Sequence, residues 1–102
     1  MPIASRPAGT GDRAAAEGVA ATAVHYLALE IERLQRFLDL TGTTPDALRE
    51  RLADTAFLAG VLEHLLADER LLLDFAAWAE LPPTAVAEAR SALSGGRDDH
   101  DG

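Results

Sequence analysis

The stretch TGTTPDALRERLAD, residues 41–54, places a helix end and two helix starts within one short span. Gly42 can take the left-handed conformation that closes a helix. Thr44 is positioned as an N-cap, Pro45 fills the first helical position, where its missing N–H costs nothing, and Asp46 favours the positive end of the dipole. Asp54 can cap the helix that follows. The short helix PDALRERL then has Leu48 and Leu52 to bury, which is the punctuation of a bundle of short helices.

Working outward, apolar residues recur at helical spacing on both sides. Upstream, a helix runs through Ile31, Leu34, Phe37 and Leu38. An earlier one spans about Ala14 to Leu29, with a buried stripe of Ala16, Val19, Ala20, Ala23, Val24 and Leu27. Downstream, Phe57, Leu58, Val61, Leu62, Leu65 and Leu66 form a wide apolar face. Asp68 can cap a fifth helix, ERLLLDFAAWAE, and LPP breaks it before a sixth from about Pro83 to Leu93. The expected fold is all-α, a compact bundle of about six short helices. The fifth is apolar almost all round, which predicts a place in the middle of the bundle. Leu73 falls on its sparse polar face, to be covered by a neighbouring helix or by a second copy of the chain.

A chain of 102 residues suits one domain with one modest core. Residues 14–93 form the expected helical domain. The lead-in 1–13 and the acidic tail 94–102 read as disordered, with His100 in the solvated tail. Apolar residues make up 48% of the chain and aromatic ones only 5%, so the core is built from Leu, Ala and Val. The net charge of −8 works against non-specific binding to nucleic acid or anionic lipid. All the basic residues are Arg. The lack of Cys excludes disulfides, thiolate metal sites and cysteine nucleophiles. No signal segment or membrane span is evident, which makes the cytoplasm the expected setting.

The two halves share an offset. Leu34, Phe37 and Pro45 stand 38 residues before Leu72, Phe75 and Pro83, and the same step pairs Leu27 with Leu65, Ala47 with Ala85, Leu48 with Val86 and Glu50 with Glu88. A three-helix unit used twice, giving two pseudo-symmetric halves, accounts for this. Chance self-matching of an Ala/Leu-rich helical chain also does.

Leu38, Gly42 and Leu48 have the spacing of a helix-turn-helix, with Leu in place of the usual small residue. A recognition helix must also offer donors to bases and cations to phosphates. Here Arg49 and Arg51 are offset by Asp46, Glu50 and Asp54, so a structural turn is the plainer reading. His64 and Asp68 are spaced i, i+4 without the His-Glu-x-x-His pattern of a zinc site, and His64 reads as a surface residue near a helix end. Asp68 and Glu69 are explained by capping. Ser5, Ser91 and Ser94 have no triad context, and no phosphate loop is present. Tyr26 and Trp78 continue apolar stripes, with Trp78 also a candidate interface anchor.

The expectation is therefore a protein-protein interaction or self-association module, not an enzyme, with no catalytic, cofactor or metal residues. Leu73 and Trp78 are its candidate contacts, and the partner is an unidentified protein or a second copy. The alternative is a nucleic-acid-binding accessory factor using Leu38 to Leu52.

At ERLQRFLDLTG, and again across LRERLADTAFLAGVLEHLLADERLLLDFAAWAEL, the sequence resembles a small alphaproteobacterial family, domain of unknown function 3572. The likeness spans roughly Ala20 to Leu93. It rests on RFL-x-x-TG at Arg36 to Gly42, FL-x-x-VL at Phe57 to Leu62, and L-x-DE-x-LL at Leu66 to Leu72. The resemblance implies a helical fold and a bacterial cytoplasmic origin, and carries no activity. Thr43 stands where an apolar residue is expected, and Glu80 where Gly is common.

Overall fold

The chain folds into six helices within residues 8–94, which the computed structural model describes. They are α1 (Ala8–Ala28), α2 (Ile31–Thr41), α3 (Pro45–Arg51), α4 (Thr55–Leu66), α5 (Glu69–Ala79) and α6 (Thr84–Ser94). No strand occurs among the described residues. The capping residues act as their positions predict. The Thr44 hydroxyl accepts the Ala47 N–H at 3.1 Å, the Asp54 carboxylate that of Ala56 at 3.0 Å, and the Asp68 carboxylate that of Leu71 at 3.2 Å. Each such cap satisfies a backbone donor the helix cannot serve itself, a contribution of about 1 kcal/mol.

Two ends differ from expectation. α1 begins at Ala8, so residues 8–13 of the expected lead-in are helical, and Ser94 of the expected tail belongs to α6. Apolar periodicity reports burial only. It is silent where a helix extends beyond its packed turns, and propagation from a formed helix costs far less than starting one. Residues 1–7 and 95–102, including His100, lie outside the described residues.

α1, α4 and α6 form the centre. α6 lies against both α4 and α1, and those two pack on each other. Ala16, Ala20, Ala23 and Leu27 of α1 meet Val61, Leu62 and Leu65 of α4 and Val86, Ala89 and Leu93 of α6 in one core. The alanines leave room for helix axes to approach closely. α2 packs on α1, and α5 packs on α4 with a thinner contact to α1.

The fifth helix is thus at the side of the bundle, not in its middle. α5 fully buries only Phe75 and Ala76. Only Ala67 and Asp68 separate it from α4, so it must fold back alongside that helix, and nothing among the described residues covers its far face. The expected burial of Leu52 also fails. That residue lies past the end of α3 and is 38% exposed, while Leu48 is half-buried. Ile31, at the first position of α2, is 74% exposed.

The 38-residue offset is carried by the structure. α2 starts at 31 and ends at 41, α5 at 69 and 79, and α1 and α4 end at 28 and 66. Gly42 closes α2 with φ 68° and ψ 27°, and Glu80, its counterpart, closes α5 with φ 60° and ψ 44°. After each, the same bond reaches back, Thr43 N–H to the Leu38 carbonyl at 3.0 Å and Leu81 N–H to that of Ala76 at 2.9 Å. The packing is reciprocal. His64 of α4 stands edge-on to Phe37 of α2 at 5.0 Å, while its counterpart Tyr26 of α1 stands edge-on to Phe75 of α5 at 5.5 Å. Both phenylalanines are fully buried. Each half thereby covers the other's ring. The likeness ends at the third helix, because α3 stops at Arg51 with no fully buried residue, whereas α6 continues for eleven residues between α1 and α4.

Candidate functional site

The side-on position of α5 creates a concave surface among the described residues. α2 and α5 stand apart over the last turn of α4, leaving an open groove of about 780 Å³. Its floor holds His64 and Ala67, one wall brings Arg36 and Leu40 from α2, and the other brings Arg70, Leu73 and Asp74 from α5. Leu40 is 66% and Leu73 46% exposed. The concavity continues past Glu30, Glu32 and Arg33 at one end and along Gln35 and Asp39 of α2.

Arg33 is the best anchored cation here. One guanidinium nitrogen donates to the Tyr26 carbonyl at 2.9 Å, another stands 3.6 Å from Glu30, and the group lies 3.9 Å over the Tyr26 ring. Its buried Nε has no hydrogen-bond partner. His64 is half-buried, which corrects its reading as a surface residue. Burial holds its pKa below the ordinary 6.5, the nearby Arg36 pushes the same way, and Asp68 opposes them. It is therefore a neutral imidazole at neutral pH.

Leu73 and Trp78 occupy separate parts of the same helix. Leu73 lines the groove, whereas Trp78 is 44% exposed and rests against Tyr26 at 5.2 Å, His25 at 5.9 Å and Phe75 at 6.4 Å. The expected packing of Trp78 in an apolar stripe holds in part, since it lies against the buried rings of Tyr26 and Phe75 while the rest of the side chain meets solvent. Sequence reading missed Leu40, the partner of Leu73 across the groove. Its one signal is the offset, which pairs Leu40 with Trp78.

The segment from Leu38 to Leu52 has the expected turn, with Leu38 buried and Gly42 left-handed. α3 is only seven residues long, with Arg49 and Arg51 in its last turn, where cations offset the helix dipole. Among the described residues, no group of three or more His, Cys, Asp or Glu is arranged to hold a metal, and no helix is long and apolar enough to cross a membrane.

Comparison with known families adds one finding. The family model described as a protein of unknown function, DUF3572, matches residues 13–96. The chain belongs to this family. No curated protein and no solved structure matches it. The motifs on which the DUF3572 likeness rests have structural work in the fold. Phe37, Leu38, Leu58, Val61 and Leu62 are core residues, Gly42 closes α2, and Asp68 caps α5. Arg36, Asp68 and Glu69 are the charged residues of those motifs, and all three line the groove.

Proposed function

We propose that this DUF3572 member is a protein-protein interaction module without catalytic chemistry, contacting its partner through the exposed side of α5. The observation that carries this reading is that Leu73 and Trp78, both large and apolar, stand 46% and 44% exposed on a helix lying at the edge of the bundle. Trp78 is braced by Tyr26, Phe75 and His25, so little side-chain freedom remains to be lost on binding. The setting this reading assumes is the cytoplasm.

A tagged full-length chain, used as bait in native lysate with and without nuclease, tests it. A nuclease-resistant protein should be retained, and retention should fall with Leu73→Asn or Trp78→Ala. A strict monomer that retains nothing, or a partner indifferent to both substitutions, would remove the reading. Retention that depends on nuclease-sensitive material and is lost with Arg49→Ala plus Arg51→Ala would instead favour a nucleic-acid accessory role for α3.

A further inference from the structure

We propose that the groove between α2 and α5 receives a basic amphipathic helix of another protein, with leucine-like side chains facing Leu40 and Leu73 and lysines or arginines facing the rims. This rests on the interaction reading above and specifies the partner's chemistry. Two exposed leucines, one from α2 and one from α5, line the same concave space, which suits the apolar stripe of an incoming helix. α5 is eleven residues long, so about three turns of a partner helix would span the groove.

Charge selects the occupant. Six carboxylates line the groove and its continuations, those of Glu30, Glu32, Asp39, Asp68, Glu69 and Asp74, against the guanidiniums of Arg33, Arg36 and Arg70. Glu30 already faces Arg33, and the Asp68 carboxylate accepts its capping bond. Glu32, Glu69 and Asp74 make no ion pair among the described residues, and neither do Arg36 and Arg70, so the carboxylates of the lining exceed its guanidiniums without being neutralised pair by pair. The rims are therefore acidic, in a chain of net charge −8. A second copy would bring an equally acidic groove and the same net charge, and an acidic helix would meet the same repulsion. A basic helix gains from the long-range field and the local rims alike.

The probe is a synthetic fourteen-residue helix of leucine and lysine, with leucines at i, i+3, i+4 and i+7, titrated into the full chain by fluorescence anisotropy. Its control replaces every lysine by glutamate. The lysine helix should bind, more weakly as salt rises, and the glutamate helix should not. Leu40→Asn with Leu73→Asn should weaken binding about tenfold, because the apolar area that the two exposed leucines bury against the partner is lost. Leu52→Asn, an exposed leucine outside the groove, should change nothing. All these positions are exposed, and circular dichroism checks that each variant keeps its fold.

Equal binding by the double variant would mean unspecific charge attraction and would overturn the proposal. So would equal binding of both helices, or a dimer seen by sedimentation that the double variant abolishes. A lysate partner that needs Trp78 but not Leu40, with no lysine-helix binding, would remove the groove and leave the interaction reading intact.

Discussion

Gly42 and Glu80 hold equivalent positions at the ends of α2 and α5, and both adopt a left-handed backbone, yet only one is a glycine. For a residue with a Cβ that conformation costs about 1–2 kcal/mol. Gly42→Ala should therefore lower stability by about 1 kcal/mol, although nothing within 4 Å would meet the new methyl, and Glu80→Gly should raise it by a similar amount. Denaturant midpoints of the two variants, expected on opposite sides of the parent, check the pair. Thr43 is the first residue after the Gly42 turn. It is buried, and its hydroxyl lies 3.0 Å from that of Thr41 and can donate to it while the Thr41 proton goes to the Phe37 carbonyl at 2.9 Å. A polar side chain is tolerated there because it is paired. His64 adds a pH response. Its folded pKa lies below 6.5, so the unfolded chain takes up the proton first as pH falls. Its contribution is complete above pH 6.5 and is lost progressively below it. The melting temperature should fall between pH 7.5 and 5.5, and His64→Gln should flatten that part of the curve.

At the scale of helices, caps and stripes were legible in the sequence because both are local. Thr44, Asp54 and Asp68 announce helix starts by side-chain chemistry alone, and the α1 and α4 stripes appear in the core as spaced. The place of α5 was not legible, since an apolar surface shows that a helix can be buried and not that a neighbour exists to bury it. The groove was half legible for the same reason. Leu73 stood out on a polar face of its own helix, whereas Leu40 becomes its counterpart only once α2 and α5 are set over α4. Helix interiors also leave room for improvement. A methyl added at Gly18 of α1 or Gly60 of α4 would meet nothing within 4 Å, so Gly18→Ala and Gly60→Ala should each stabilise by about 0.5–1 kcal/mol. An unchanged or lower melting temperature would show that close approach, not open space, governs those positions.

For the molecule as a whole, the reciprocal covering of Phe37 and Phe75 makes the two halves mutually dependent. Phe37→Ala or Phe75→Ala should cost about 3–5 kcal/mol, a large share of the stability of a domain this size. Each should lower the melting temperature of the entire bundle in one transition, with no separate unfolding of the half that carries it. The shared helix ends, the matched closing turns and the exchanged rings show why the offset in the sequence was worth reading, and why it fades at α3 and α6, whose surroundings differ. A single unit of this kind, meeting its own copy, would form the same two ring contacts, and how much of it was folded would vary with its abundance in the cell. Joined end to end, the two units find each other at any dilution.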